Sequence, residues 1–288
     1  MPKRGQSFIE PSLYEGIISS PELVYILGLL WADGYIIHNP ETYRYVVRLK
    51  MVRKDLFPLR HLFDKTGIWM SHEVKHEGMY GHIFSLSCYD KLFSKFLSEH
   101  GYCGKHSASQ ILSLICPTLH YLWWRGYSDG DGCFSLQNKS AAFTYSGPID
   151  ETWDEASQIM TKQQVDWHIV RRINKYGKAS IIKTSKFDSV IRWGDYLYHD
   201  YSISPIGLAR KYEVYIRIKN LPRNPCPRRD ILHIYPSKNR WKYMFRYKGR
   251  LFHKGSFLSH EEACIACDSC KREIGYKPKE RVRFQIGN

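Results

Sequence analysis

The sequence lacks an apolar run long enough to cross a membrane. Its longest, Leu23 to Ala32, is about half of the ~20 residues a span needs. No lysine-led apolar segment with a small-residue cleavage site opens the chain, so a soluble, intracellular protein is expected, in the cytoplasm, nucleoid or an organelle matrix, with no membrane partner. Evenly spaced cysteines are missing too. The eight, at positions 88, 103, 116, 133, 226, 264, 267 and 270, form no secreted disulfide framework, and free thiols in a reducing compartment follow. Acid is in short supply: 28 Asp+Glu face 43 Lys+Arg, a net charge of +15. That excess favours polyanionic partners, because each phosphate neutralised releases condensed counterions.

With 43% hydrophobic and 15% aromatic residues, the chain can bury a core, and 288 residues suffice for a duplicated core plus an appendage. Charge is unevenly spread. Residues 221–288 hold 16 Lys+Arg against 6 Asp+Glu, and the first 220 hold 27 against 22. The stretch LPRNPCPRRD from Leu221 has three prolines in ten residues, which suits a semi-extended linker. A boundary near 221 is expected.

One short signature is written twice: ILGLLWADG, Ile26 to Gly34, and WRGYSDGDG, Trp124 to Gly132. In each, a glycine (Gly28, Gly126) stands five residues before an aspartate (Asp33, Asp131) that a second glycine follows. Ser20 and Pro21 predict a capped helix start before the first copy, and Gly34 a left-handed ending. Thr118 is the candidate cap of the second helix, with Gly130 and Gly132 at its close. Strand-like segments follow each helix. In YRYVVRLK, alternation sets Arg44, Val46, Arg48 and Lys50 on one face and Tyr43, Tyr45, Val47 and Leu49 on the other. WHIVRRINKYGKASIIK reads as a hairpin turning at Tyr176-Gly177 and offering Arg171, Arg172, Lys175, Lys178 and Lys183. Helices are expected near Asp55 to Lys65, Asp90 to His100 and Asp150 to Lys162.

A mid-helix glycine costs about 1 kcal/mol relative to alanine, so matched ones need a reason such as the close approach of two backbones. Helices crossing there would bring Asp33 and Asp131 together at helix carboxyl ends. Two adjacent carboxylates repel, and each also opposes the helix dipole. A bound divalent cation reverses both effects, and Mg²⁺ takes one or two carboxylates plus waters and substrate phosphates. A phosphoryl-transfer metal centre is the reading. One Asp-Gly alone would more simply end a helix. A calcium loop starting at Asp129 fails, with Phe134 at the sixth place and Ser140 at the twelfth.

The two motifs resemble those of double-motif, single-chain LAGLIDADG homing endonucleases, over about residues 15 to 220. Trp31, Trp124, Arg125, Tyr127 and Ser128 depart from the literal letters. The resemblance implies an α+β fold of two pseudo-two-fold related αββαββα repeats, at 1–115 and 116–220, with motif helices at the interface and saddle-shaped antiparallel sheets on the DNA major groove. It implies that Asp33 and Asp131 hold Mg²⁺, with Mn²⁺ able to substitute, helped by the Ala32 and Gly130 carbonyls, each half cutting one strand. Lys105 and Lys211 resemble the basic residue such enzymes keep near each centre; as surface residues they would simply be solvated.

After the linker at 221–229, residues 230–288 read as a basic module. Trp241, Tyr243, Phe245 and Tyr247 alternate with Lys242, Met244, Arg246 and Lys248, Lys248-Gly249 turns the chain, and Ser259 begins a helix with Glu261 and Glu262 in its first turn. Trp241, Gly255, Phe257 and Glu261-Glu262-Ala263 resemble the DNA-binding domain of plant ethylene-response factors, which implies a three-stranded sheet backed by one helix. Cys264, Cys267 and Cys270 turn progressively around a helix and read as small buried residues, since structural zinc usually takes its CxxC pair from a turn. His72-Glu73-Val74-Lys75-His76 spells the zinc-protease pattern and is followed by His82, but it lies beside the strand-like HIFSLSC and near Gly78 and Gly81, where no helix can align both histidines.

Together these features predict a monomeric, Mg²⁺-dependent, site-specific endonuclease acting on double-stranded DNA. The alternative is a non-cutting relative on the same scaffold, an intron RNA maturase or a DNA-binding regulator.

Overall fold

Ser20, in extended conformation, accepts a hydrogen bond from the Leu23 N–H at 3.4 Å, and Pro21 takes the first helical position. Helix α1 (Pro21–Asp33) follows, and every residue from Leu23 to Trp31 is buried. A helix apolar all round has to lie inside the molecule. The computed structural model describes residues 9, 13, 16–39, 44–74, 82–105, 107–137, 140–174, 177–221, 233–237, 239–247 and 250–275. Expectations placed on Tyr43, His76, Lys175, Tyr176, Cys226, Lys248, Gly249 and the 222–229 stretch fall outside the described residues. The chain divides into two compact units, Met1–Leu221 and Pro222–Asn288.

In the first unit α1 passes straight into β1 (Gly34–Asn39), then β2 (Arg44–Val52), α2 (Arg53–Thr66), β3 (Met70–Val74), β4 (Ile83–Cys88) and α3 (Lys91–Glu99). After α4 (Ser109–Leu114) and a 3-10 turn at Pro117–Leu119 the plan repeats: α5 (His120–Asp131), β5 (Gly132–Gln137), β6 (Ser140–Gly147), α6 (Asp154–Lys162), β7 (His168–Asn174), β8 (Gly177–Thr184) and α7 (Phe187–Tyr198). Helix α8 (Ala209–Lys219) follows. Each half is thus αββαββα, and the two antiparallel sheets share one strand order, β1-β2-β4-β3 and β5-β6-β8-β7. This is the α+β, two-repeat architecture expected above.

Helices α1 and α5 cross at their glycines. A Cβ on Gly28 would stand 2.0 Å from the Trp123 carbonyl oxygen, and one on Gly126 would stand 2.1 Å from that of Tyr25. Each glycine meets the residue three before the other, the reciprocity a two-fold axis between the helices requires. Backbone contact this close admits no side chain, which explains why the helices tolerate glycine's cost.

Three local expectations are corrected. Gly34 (φ −76°, ψ 155°) and Gly132 (φ −86°, ψ 151°) are extended and not left-handed. They lack side chains for a steric reason: a Cβ would stand 2.6 Å from the Leu30 or Ser128 carbonyl oxygen, because each strand leaves its helix without an intervening turn. Thr118 does not cap the second helix. It sits in the 3-10 turn with its hydroxyl 3.1 Å from the Cys116 thiol, and α5 starts after Leu119 with no side-chain cap. Finally, α6 begins at Asp154 and not at Asp150. Trp153, left-handed at φ 62°, buries its indole and donates from Nε1 to Ser180 Oγ at 2.8 Å, which pins a loop over 148–153 ahead of the helix. The first half has no such loop, since β2 ends at Val52 and α2 begins at Arg53.

In the second unit β9 (His233–Ser237), β10 (Arg240–Tyr247) and β11 (Arg250–Phe257) form an antiparallel sheet in the order β11-β10-β9, followed by α9 (His260–Glu273). Ser259 caps α9 by accepting from the Glu262 N–H at 3.1 Å, while Glu262 reaches back to the Leu258 N–H at 2.8 Å. Tyr243, Phe245 and Cys267 form the core between sheet and helix.

Candidate active site

Asp33 and Asp131 are the last residues of α1 and α5, and the glycine crossing brings these ends into contact. A Cβ on Gly130 would lie 2.2 Å from that of Ala32 and 3.0 Å from Asp33 Oδ2. Asp33 is exposed and Asp131 half-buried, yet enough protein surrounds each carboxylate to raise its pKa. Desolvation lifts Asp33 above the usual range, against the pull of Lys105 and Lys211. Asp131 is pushed to about 6, chiefly by desolvation and then by the charge of Asp33, with Glu151 adding to it.

A carboxyl that holds its proton more tightly folded than unfolded makes stability fall as pH rises between the two pKa values, here from about 4 to about 6. Asp131→Asn removes that penalty. In EDTA the variant is expected to match wild type near pH 4 and to exceed it by about 2 kcal/mol at pH 7, measured by denaturant unfolding at both pH values. A stability difference that does not change with pH contradicts the shift.

A lysine stands at each helix end. Lys105, in the segment after α3 at φ 54°, donates from Nζ to the Ala32 carbonyl at 3.0 Å. Lys211, in the first turn of α8, donates to the carbonyls of Ser128, Asp129 and Gly132 at 2.7 Å each, with Gly130 O at 3.5 Å. Both ammonium groups meet the negative pole of a helix. Burial lowers the pKa of both, against the raising charges of Asp131 and Asp33 on Lys105 and of Asp129 on Lys211.

Sequence reasoning missed the buried charges beneath the second acid. Asp129 accepts from Tyr25 Oη and the Leu208 N–H at 2.8 Å and from Tyr198 Oη at 3.4 Å. Arg125, fully buried, donates to the Leu197 carbonyl at 2.7 Å, the Ile206 carbonyl at 2.8 Å and the Asp200 carboxylate. The signal was an arginine and an extra aspartate inside a helix otherwise built for burial. Also missed was Glu151, which lines a cleft of about 440 Å³ with Ala32, Lys105, Tyr127 and Asp131.

The basic strand residues divide by face. Arg48 and Lys50 share a face of the first sheet, where Arg48 Nε donates to Ser87 Oγ at 3.2 Å and lies over the Tyr35 ring. Val46 on that face is buried, so the face is not uniformly open, and Arg44 opens the strand opposite Asn39. In the second sheet Arg172 and Lys183 lie on one face. Arg171 points to the other, paired with buried Ser180, and donates to the Ile149 carbonyl at 3.3 Å. In the second unit Lys242 lies across Gly255, where a Cβ would stand 2.8 Å from its Cγ. Arg246 belongs to the same strand. Cys267 is in the core and Cys264 is 3.7 Å from His260 Nδ1. Among the described residues, no group of three or more His, Cys, Asp or Glu is placed to hold a metal, and no helix is long and apolar enough to cross a membrane. His72 and Glu73 lie in strand β3, with Glu73 against His82, which leaves no helical zinc-protease arrangement there.

No protein-family model and no curated protein matches this chain. Among solved structures it is similar to the homing endonuclease I-WcaI bound to its DNA recognition sequence, with 15% identity and a TM-score of 0.46, over 69% of this chain and 87% of that one. It is similar to the I-LtrWI LAGLIDADG homing endonuclease bound to target DNA, with 13% identity and a TM-score of 0.42, over 69% and 88%. A third is I-DmoI in complex with DNA and Ca, with 14% identity and a TM-score of 0.43, over 59% and 85%.

Proposed function

We propose that this chain is a site-specific DNA double-strand endonuclease of the LAGLIDADG homing class, dependent on Mg²⁺, with Mn²⁺ able to replace it. One observation carries the reading: two equivalent helices, crossed at Gly28 and Gly126, deliver one carboxylate each to adjoining helix ends, with an ammonium group beside each end. A protein that only binds has no use for two desolvated acids that repel each other at the negative poles of two helices.

The donor set fits a hard divalent cation, since such an ion favours the ionised form of Asp131 against the desolvation and the Asp33 charge that raise its pKa. Asp33 and Asp131 would hold it, with the Ala32 and Gly130 carbonyls adjacent. When bound, the ion supplies Lewis-acid polarisation of a phosphate oxygen and a lowered pKa for an attacking water. The chain's own residues do the rest. Ionised Asp33 and Asp131 keep the helix ends negative, and Lys105, facing the cleft, donates to the charge developing on phosphate oxygen. Arg48 and Lys50 in one sheet and Arg172 and Lys183 in the other contact the duplex on either side. A duplex spanning the uninterrupted insertion point of the protein's own gene, incubated with Mg²⁺ or with EDTA, tests the reading. One discrete metal-dependent break supports it, and no break with Mg²⁺ overturns it.

The second unit serves as a further DNA-binding surface, with Lys242 and Arg246 of β10, and Lys248, as the basic residues of an ethylene-response-factor-type sheet. Truncation after Leu221 is expected to weaken duplex binding at least about tenfold. It should also flatten the log–log salt dependence by about 1 for every phosphate that the truncated chain no longer neutralises. Fluorescence anisotropy over a salt series checks this, and unchanged affinity and slope would sink the role.

A further inference from the structure

On either side of the glycine crossing the two motif helices touch again, and the two touches differ. Trp31 of α1 meets Trp123 of α5 through their rings, with centroids 5.8 Å apart and planes inclined at 56°. The two-fold axis carries that pair onto Asp129 and Tyr25: Trp31 and Asp129 each stand three residues after their glycine, and Trp123 and Tyr25 each three before. There the contact is a hydrogen bond, donated by Tyr25 Oη to Asp129 Oδ2 at 2.8 Å. One motif has an acid at this place and the other an indole.

Tyr25 and Asp129 both lie out of water, at 0% and 4% exposure. A carboxylate so placed is costly unless donors surround it, and Asp129 has them. The Leu208 N–H shares Oδ2 at 2.8 Å, and Tyr198 Oη approaches Oδ1 at 3.4 Å. Tyr198 closes α7 and Leu208 immediately precedes α8, so one carboxylate joins α1, α5, α7 and the start of α8. The end of α1 is held by rings instead. Trp31 is packed edge-on by Tyr102, whose Oη donates to the Leu27 carbonyl of α1 itself at 2.8 Å.

Asp129 stands two residues before Asp131, in the last turn of α5. Two like charges at adjoining helix ends repel and push those ends apart. Rings in contact can slide under such a force, whereas a hydrogen bond to a carboxylate is short, directional and about twice as strong as a neutral one. Magnesium demands near-ideal octahedral geometry, and calcium accepts a looser one. The spacing of two acids that share an ion therefore matters more for Mg²⁺ than for Ca²⁺. Resting on the nuclease reading, we propose that Tyr25 and Asp129 are positioning residues that set the metal preference of the centre: their bond across the two halves fixes the end of α5 against the body of α1, and so holds Asp131 at the spacing from Asp33 that Mg²⁺ requires. Both side chains are buried, and they act on the ion only through Asp131.

The test measures Mn²⁺ bound to the complex of protein and insertion-site duplex by electron paramagnetic resonance, with Mg²⁺ and Ca²⁺ as competitors. Tyr25→Phe deletes one hydroxyl and keeps the ring in the core. It is expected to weaken Mn²⁺ and Mg²⁺ binding about tenfold and Ca²⁺ binding by less than about threefold. On gels the half-saturating Mg²⁺ concentration should rise likewise, with the saturated cutting rate within about threefold of wild type. Tyr215→Phe is the control. Its Oη donates to Asp195 within the second half, so its loss should lower the melting temperature and leave ion binding unchanged. Asp129→Asn keeps an oxygen that accepts from Tyr25 and from the Leu208 N–H, and should bind Mn²⁺ within about threefold of wild type. It decides the matter if Tyr25→Phe does not fold. Wild-type ion affinities in Tyr25→Phe, equal losses for Mg²⁺ and Ca²⁺, a loss above about tenfold in Asp129→Asn, or a loss in Tyr215→Phe as large as in Tyr25→Phe would each overturn the inference alone. A wild-type complex that binds no Mn²⁺ beyond the duplex alone would instead strike the nuclease reading and carry this inference down with it.

Discussion

Asp131→Asn is expected to keep duplex affinity within about threefold of wild type and to lower cutting of at least one strand by about a thousandfold or more. Asparagine keeps the size of the side chain, so the packed helix ends and the three carbonyl contacts of Lys211 stay in place. What disappears is the negative charge, which contributes to holding the cation and nothing to attracting a polyanion. Affinity and cleavage should therefore separate cleanly. Strand-resolved gels beside an anisotropy titration measure both, with Asp33→Asn run alongside. Undiminished double-strand cutting by Asp131→Asn would refute the role given to the acid, and a parallel loss of affinity would move it from chemistry to binding.

Gly28→Ala is expected to unfold the first unit or to cost it at least about 4 kcal/mol, a large share of the 5–15 kcal/mol that usually stabilises a native protein. The added Cβ would stand 2.0 Å from the Trp123 carbonyl oxygen and 3.0 Å from the Tyr127 nitrogen. Both are backbone atoms of α5, and no rotamer change can move them aside. The helices would have to separate along a contact where Tyr25, Leu29, Trp123 and Trp124 are all buried. Gly126→Ala should behave alike, because its Cβ meets the Tyr25 carbonyl oxygen at 2.1 Å. Urea unfolding of each variant measures the loss. A midpoint within about 0.5 M of wild type for either would contradict the backbone crossing.

The features legible in the sequence are those with local or repeated causes. Ser20 and Pro21 announce the start of α1, and the doubled Gly-to-Asp-Gly spacing announces two helices meeting at glycines. Alternation of aromatic and basic residues announces the buried face of β10. What stayed hidden depends on partners far along the chain. Arg125 is intelligible only once Asp200 and the Leu197 and Ile206 carbonyls surround it, and Asp129 only beside Tyr25, Tyr198 and Leu208. Gly34 and Gly132 misled because Asp-Gly usually signals a left-handed turn, whereas here each helix runs directly into a strand. Arg171 and Arg172 are neighbours in sequence and point to opposite faces. Both are exposed, and the pairing of Arg171 with Ser180 and of Arg172 with Ala179 decides which face each takes. Lys105 and Lys211 match in position relative to the motifs, and their difference in hydrogen bonding appears only in three dimensions.

The central claim is that Asp33 and Asp131 form one metal-bearing centre. Titration of Mn²⁺ into the complex of protein and insertion-site duplex, followed by electron paramagnetic resonance, tests it most directly. Wild type should show tightly bound Mn²⁺ that Mg²⁺ displaces, and the Asp33→Asn/Asp131→Asn double variant, bound to the same duplex, should show none beyond the duplex alone. A double variant that binds as much Mn²⁺ as wild type, with the same affinity, would contradict the account.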